Sequence, residues 1–228
     1  MYLSLLSACA DVADRTHLRL THMPPILTPL MPRLVIMAKR PELGRVKTRL
    51  AKGIGAVAAP RLYRQTSQTV IRRLSADPRW QTWLSVAPDH AVDDGGLSPM
   101  NLPHVVQGQG DIGERMQQIM GAMPRGPVVI IGSDIPEILS DHIAAAFRDL
   151  GRTDAVFGPA DDGGYWLVGL RRRPRVVGIF KDVRWSGEHA LADTVANVVR
   201  AGLSYEMGAR LSDVDTADDY LRWQARSR

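Results

Sequence analysis

Short, wholly apolar runs alternate along the chain with segments in which apolar residues recur every three or four positions. Leu34-Val35-Ile36-Met37-Ala38 and Val128-Val129-Ile130-Ile131 are uninterrupted apolar runs bounded by polar turns, the pattern of strands buried on both faces. Trp83–Ala87, ended by Pro88, reads as another strand, and Val105-Val106 as a brief one. Asp154–Pro159, Tyr165–Leu170 and Leu203–Met207 complete the set. Helices are predicted where Leu62, Thr66, Val70 and Leu74 share a face, and likewise Ile112, Met116, Ile119 and Met123. Ile143, Phe147 and Leu150 mark a third helix. Leu191, Val195 and Val198 mark a fourth, with Ser186 as its candidate cap. Thr216 and Asp219 form a capping-box pair for the last one. Asp93-Asp94-Gly95-Gly96 and Asp161-Asp162-Gly163-Gly164 are turn sequences, the second joining two strands tightly.

Strands alternating with helices predict a three-layer α/β/α, Rossmann-like domain. Its sheet is expected to be mixed but mostly parallel, with the departure at the late strand pair around Asp162. Met31–Arg228 is read as one domain. Residues 1–30 lack a sustained period and end in Pro24, Pro25 and Pro29; they are read as an N-terminal extension, disordered or the product of a start site placed too early. Leu6-Ser7-Ala8-Cys9 spells a lipoprotein cleavage box, but no Lys or Arg precedes it and the apolar run is short, so export is not expected. A single cysteine in 228 residues excludes an internal disulfide framework and Cys-clustered metal sites. With no apolar stretch long enough to span a bilayer, the expected location is the cytoplasm. The net charge of +5 suits a polyanionic partner. The cations gather in one loop and at Arg171-Arg172-Arg173-Pro174-Arg175, without a nucleic-acid-binding motif, so nucleic acid is not the expected partner.

In open α/β sheets, ligands lie beyond the carboxyl ends of the strands, and three polar segments fall at such ends here. The first, Lys39–Arg49, holds five cations in eleven residues. Gly44 would let the backbone turn closely around a ligand, and Arg45, Lys47 and Arg49 would converge on phosphate oxygens. A solvated basic loop is the plainer reading, and the frame of a Walker loop is missing. The second is Asp134, a carboxylate at the end of an apolar strand. It suits Mg2+ or Mn2+ bridged to a phosphate, or a helix cap. The third is the pair Asp161 and Asp162, candidates for orienting an acceptor hydroxyl or acting as base, or simply a hairpin turn. Tyr165 and Trp166 follow, pointing in opposite directions, so at most one is expected to face the pocket. Gly110-Asp111-Ile112-Gly113-Glu114-Arg115 opens a helix whose N–H groups favour an anion, unless Asp111 only caps it. Asp213 and Asp215 before the last helix would complete a metal site or cap that helix. His189 is expected to be surface or packing, and no Ser–His–Asp or Cys–His spacing is present.

Taken in order, these segments resemble the DUF2064 family: Ala38-Lys39-Arg40-Pro41, Gly44 and Val46-Lys47-Thr48-Arg49-Leu50; Gly110–Met116; Gly132–Pro136; Gly158–Tyr165; Trp185-Ser186; and Asp213–Thr216. The resemblance spans about Pro32 to Tyr220. That family is described as glycosyltransferase-like, and sometimes as radical-SAM/selenodomain-associated transferases. It implies a GT-A, nucleotide-diphospho-sugar transferase fold, similar to the guanylyltransferases that build the molybdopterin and F420 cofactors. In those relatives a basic loop after the first strand holds the triphosphate, which points to Lys39, Arg45, Lys47 and Arg49; Gly110 and Arg115, from the helix start read above, are the further candidate nucleotide contacts. A strand-end aspartate holds the divalent metal, which points to Asp134, with Asp213 or Asp215 as second ligand. Two departures stand out: Lys39-Arg40-Pro41-Glu42 replaces the glycine-rich loop of nucleotidyltransferases, and Ser133-Asp134-Ile135-Pro136 lacks a strict Asp-x-Asp. The implied function is a Mg2+- or Mn2+-dependent transferase with a nucleotide-diphosphate donor, most readily glycosyltransferase-like. A nucleotidyltransferase that releases pyrophosphate, and a non-catalytic nucleotide-binding protein of the same fold, are the alternatives. The expected partners are a nucleotide sugar or nucleoside triphosphate and an acceptor.

Overall fold

A computed structural model describes residues 30–89, 96–98, 101–173 and 176–226. Residues 1–29 of the N-terminal extension and Asp93–Gly95 of the predicted turn lie outside them. Among the described residues the elements run β1 (Arg33–Lys39), α1 (Thr48–Ile54), α2 (Ala58–Ser75), β2 (Gln81–Ala87), α3 (Ile112–Ala122) and β3 (Val128–Gly132). They continue with α4 (Ser140–Asp149), β4 (Ala155–Pro159), β5 (Tyr165–Leu170), α5 (Ala190–Arg200), β6 (Tyr205–Met207) and α6 (Ala217–Arg226). The strands form one sheet in the order β2-β1-β3-β5-β4-β6. β5 alone runs against its neighbours; the other pairings are parallel. This is the mostly parallel, mixed α/β sheet that the sequence pattern predicts.

The apolar runs are explained by burial on both sides of the sheet. Leu34, Ile36 and Ala38 of β1 and Val129 and Ile131 of β3 pack with α2 and α4 residues. Val35, Val128 and Ile130 face the opposite way, into a second cluster with Met116, Ile119 and Met120 of α3 and Val198 of α5. The methionines are therefore core. The buried face of α2 is set one position away from the predicted one: it carries Ala59, Tyr63, Ser67, Val70, Ile71 and Leu74, while Leu62 and Thr66 are only half-buried.

Four local expectations are corrected. Val105-Val106 forms no strand; the segment touches the sheet through one isolated bridge between Leu84 and His104, and Val106 is exposed. Two residues cannot sustain a ladder once the chain turns outward. Ser186 does not cap α5: it sits in the left-handed region at φ 65°, and the helix begins only after His189. The predicted strand at Leu203 is shortened to Tyr205–Met207, an exposed edge. The loop after β1 ends in a helix, α1, which leaves no periodic trace because Leu50 is its one buried residue.

Topology places the ligand-facing edge. Met37 lies opposite Gly132 and Lys39 opposite Ala87, so β1, β2 and β3 end together. Because β5 is antiparallel to both β3 and β4, β4 runs with β3 and the β4–β5 turn emerges at that same edge. β6 is parallel to β4, so the segment leading to Asp213 emerges there too. No described helix is long and apolar enough to cross a membrane.

Candidate active site

The converging segments enclose a cavity of about 540 Å3. Of the candidates named above, Lys39, Arg45, Lys47, Arg49, Asp134, Asp162, Asp213 and Asp215 line it. In its lining the Lys47 ammonium lies 2.9 Å from Asp134 Oδ2 and 2.5 Å from Asp215 Oδ1. The Lys47 side chain is only 6% exposed, whereas Asp134 and Asp215 keep 35% and 39%. Burial works against the charge on Lys47, but the two carboxylates outweigh it and hold its pKa above the ordinary lysine value. Asp213 sits beside this group. Burial, followed by the charges of Asp215 and Asp134, pushes its carboxyl up to about 6 despite Lys47.

Local folding explains how residues 168 positions apart meet. Lys47 precedes α1 in a left-handed conformation, φ 49° and ψ 45°. Asp215 precedes α6, whose start is fixed by a capping box: Thr216 N–H donates to Asp219 Oδ2 at 2.7 Å, and Asp219 N–H to Thr216 Oγ1 at 3.2 Å. The last turn of α1 meets the start of α6. A Cβ on Gly53 would come within 2.4 Å of Ala217 Cβ, so only glycine allows this approach. Asp134 follows the end of β3 after Ser133.

A polar clamp that sequence reasoning missed holds the ends of β1 and β3. Tyr63 Oη accepts the Lys39 N–H at 2.8 Å, donates to Lys39 C=O at 3.0 Å, and lies 3.3 Å from Ser133 Oγ. Ser67 Oγ donates to Ser133 Oγ at 3.0 Å. Burial raises the Tyr63 pKa, keeping the hydroxyl protonated as a donor. The available signal was Tyr63 and Ser67, four residues apart on a helix face otherwise apolar. Gln107 does similar work for β1 and β2, donating Nε2 to Ala38 C=O at 3.1 Å and Ser85 C=O at 2.8 Å. Asp89 in turn accepts the N–H groups of Gln107 and Gly108, each at 2.8 Å.

Asp161, Gly44, Gly110, Asp111 and Arg115 lie apart from the main cavity lining. Asp161 turns to Ser212 Oγ, with Arg210 3.9 Å away, whereas its neighbour Asp162 lines the cavity and accepts the Gly164 N–H at 2.9 Å. Gly44 turns at φ 73° in open space. Asp111 and Glu114 form a reciprocal capping box on α3. Gly110, at φ 100°, leaves room for Glu114, whose carboxylate would lie 1.9 Å from an added Cβ. Arg115 donates Nε to Gly110 C=O at 3.0 Å and borders a second cavity of about 480 Å3, shared with Lys39 and Arg45. Tyr165 and Trp166 do face opposite cores, yet both border the main cavity because it opens across the sheet edge, against the expectation of at most one. Tyr165 Oη is 3.5 Å from Thr194 Oγ1, and burial raises its pKa. Among the described residues no three His, Cys, Asp or Glu side chains are arranged around a common metal position.

With this geometry in view, comparison with known proteins is informative. Residues 70–187, just over half of the chain, match the model of DUF2064, described as an uncharacterized protein conserved in bacteria. The chain belongs to the DUF2064 family. A solved Desulfovibrio desulfuricans G20 structure, assigned to the nucleotide-diphospho-sugar transferases, is 32% identical, with 86% of this chain and 87% of that one covered and a TM-score of 0.77. Two more distant structures share the fold. A Methanothermobacter nucleotidyl transferase is 12% identical over 86% of this chain and 97% of that one, TM-score 0.57. The Mycobacterium tuberculosis glucosyl-3-phosphoglycerate synthase, solved with Mn2+, UDP and glucosyl-3-phosphoglycerate, is 12% identical over 86% and 76%, TM-score 0.52. A search of curated proteins finds no match. The GT-A, nucleotide-diphospho-sugar transferase fold expected from the sequence is thus the fold observed.

Proposed function

We propose that this chain is a divalent-metal-dependent transferase whose donor carries a nucleotide diphosphate, acting as a glycosyltransferase. The observation that carries this reading is the pair of carboxylates, Asp134 and Asp215, meeting at one buried cation position beside a cavity rimmed by Lys39, Arg45 and Arg49. Such a donor needs both charge types, cations for phosphate oxygens and hard oxygen ligands for Mg2+ or Mn2+. The residues present fit the metal. Two carboxylates with phosphate oxygens and water make an ordinary Mg2+ environment, and Asp213 adds a third carboxylate where one ammonium cannot neutralise all of them. Asp134 and Asp215 would hold the ion, and when bound it would neutralise charge building on the leaving diphosphate.

The chain's own residues supply the rest. Lys39, Arg45 and Arg49 orient the diphosphate at the sheet edge. Asp162 Oδ1 is fixed by the Gly164 N–H, and Oδ2 takes the proton from an acceptor hydroxyl as its oxygen attacks the sugar carbon. The bond from that carbon to the diphosphate oxygen breaks, and a nucleoside diphosphate leaves. Tyr165, Trp166 and Trp185 wall the cavity and restrict water around the reacting carbon.

The same parts serve nucleotidyl transfer if attack falls on the α-phosphorus instead. Donor breakdown by water, followed chromatographically with Mn2+ present, separates the two. Glycosyl transfer predicts nucleoside diphosphate from one nucleotide sugar. Nucleoside monophosphate and pyrophosphate from a triphosphate would replace it with nucleotidyl transfer. Asp134→Asn should lower either rate at least 100-fold without unfolding the protein; full activity in that variant would overturn the assignment.

A further inference from the structure

We propose that Lys47 is a resident counter-ion at the divalent-metal position, which it leaves for the donor's diphosphate only when metal and diphosphate enter together. This inference rests on the metal-dependent reading above.

The phosphate role expected for Lys47 does not describe where it is. Its ammonium is in contact with Asp134 and Asp215 together, and its side chain is 6% exposed. It fills the point on which the two carboxylates converge. A divalent ion held by both would sit against that ammonium, and two cations at contact distance in a buried site repel strongly. Metal entry therefore requires Lys47 to withdraw. The backbone shows that this placement is built in: Lys47 takes a left-handed conformation uncommon for a residue with a side chain, fixed between β1 and α1.

Withdrawal needs a destination. A buried ammonium stripped of both carboxylates would be left unpaired, a costly state. Free metal ion offers none, because it replaces Lys47 without pairing it. A diphosphate does, since its oxygens are attractive partners for the ammonium. Lys47 also lines the main cavity with Lys39 and Arg45, so a rotation about its side-chain bonds reaches the diphosphate side. Two consequences follow. Metal alone binds weakly and metal with diphosphate binds well, so the two enter as a unit. In the resting protein Lys47 also keeps Asp134 and Asp215 from repelling each other, holding α1, α6 and the end of β3 ready for the donor.

Two measurements test this. The first follows protein-bound Mn2+ by water-proton relaxation enhancement in wild type, Lys47→Met and the exposed-cation control Lys181→Met, each with and without pyrophosphate. Wild type and Lys181→Met should bind Mn2+ weakly alone and at least tenfold more tightly with pyrophosphate. Lys47→Met should bind Mn2+ alone at least tenfold more tightly than wild type. Equal Mn2+ affinity in wild type and Lys47→Met, with pyrophosphate still assisting both, would overturn the exchange while leaving the metal-dependent reading standing. No bound Mn2+ in any protein under any condition would remove both. The second measurement needs no change at Lys47. The chain has four lysines, Lys39, Lys47, Lys52 and Lys181, so a Lys39→Arg, Lys52→Arg, Lys181→Arg protein shows one lysine ammonium signal by nitrogen-15 NMR. That signal should be unmoved by Mg2+ alone and shift with Mg2+ plus pyrophosphate. A shift with Mg2+ alone, or none with both, would refute coupled entry.

Discussion

Tyr63→Phe isolates the clamp beneath the site, because it deletes one oxygen and leaves the packed ring in place. In the native protein that oxygen accepts the Lys39 N–H at 2.8 Å, donates to Lys39 C=O at 3.0 Å and touches Ser133 at 3.3 Å. Ser133 keeps Ser67 as a partner, so its loss is minor. Lys39 N–H loses the acceptor it uses in this clamp. A lost hydrogen bond costs about 1 kcal/mol and a buried donor left unpaired about 1–3 kcal/mol. The clamp's two strong bonds thus predict destabilisation of about 2–3 kcal/mol. For a chain of this size that lowers Tm by about 4–12 °C. The clamp also fixes the main chain from which Lys39 enters the cavity, so donor affinity should weaken about three- to tenfold. Urea and thermal melts read the first effect, and titration of a binding nucleotide reads the second. Tyr220→Phe is the control, since the Tyr220 hydroxyl accepts from Gln224 within the surface helix α6. A Tyr63→Phe protein within about 0.5 kcal/mol of wild type, or a control that loses as much, would refute the reasoning.

Gly163→Ala should destabilise by about 2–4 kcal/mol in a urea melt, combining left-handed strain with overpacking. Gly163 sits at φ 85°, and an added Cβ would come 2.4 Å from Glu188 Cα and C=O oxygen; an unchanged midpoint would show the β4–β5 turn does not pack against that segment. Asp154 supplies an acid-range prediction. The Ser204 N–H bonded to its carboxylate, with the Ser204 hydroxyl and Arg171, holds its pKa below the usual value against partial burial. The folded pKa is depressed, so the stabilisation is present above the unfolded carboxylate value of about 4 and is lost as pH falls through the folded one. Asp154→Asn should therefore lower stability at pH 7 by about 1–3 kcal/mol, with the gap to wild type narrowing as pH falls below the unfolded carboxylate value of about 4; a gap that stays constant through the acid range would contradict the charge-based account.

The fold was legible where burial is symmetric. The middles of β1 and β3 are uninterrupted apolar runs because both faces are covered, and β4 and β5 are buried on both faces in the same way. α1 left no such mark, since a short helix with one buried leucine resembles a loop. The candidate site divided along a similar line. Lys47, Asp134 and Asp215 each stood out beside a strand end or before a helix, and the family resemblance put them in one site. That Lys47 binds the two carboxylates rather than standing free was invisible, because it depends on a 168-residue separation closed by the contact of α1 with α6. Tyr63 and Ser67 were hidden by their positions on a core helix, where a polar residue is noticed only once its partners at Lys39 and Ser133 are known. Asp161 and Asp162 look equivalent in sequence, but the turn sends one to Ser212 and the other to the cavity.

The central claim, a nucleotide-diphosphate donor held with a divalent metal at Asp134, is tested most directly by a thermal-shift titration. Wild type and Asp134→Asn would be screened against nucleotide sugars and nucleoside triphosphates, each with and without Mn2+. A ligand present at about 100 times its dissociation constant adds about 2.7 kcal/mol, enough to raise Tm by about 5–11 °C in a chain of this size. The account predicts such a shift for a nucleotide sugar with Mn2+ in wild type, and its loss in Asp134→Asn. A shift of equal size without metal, or one retained in Asp134→Asn, would contradict it.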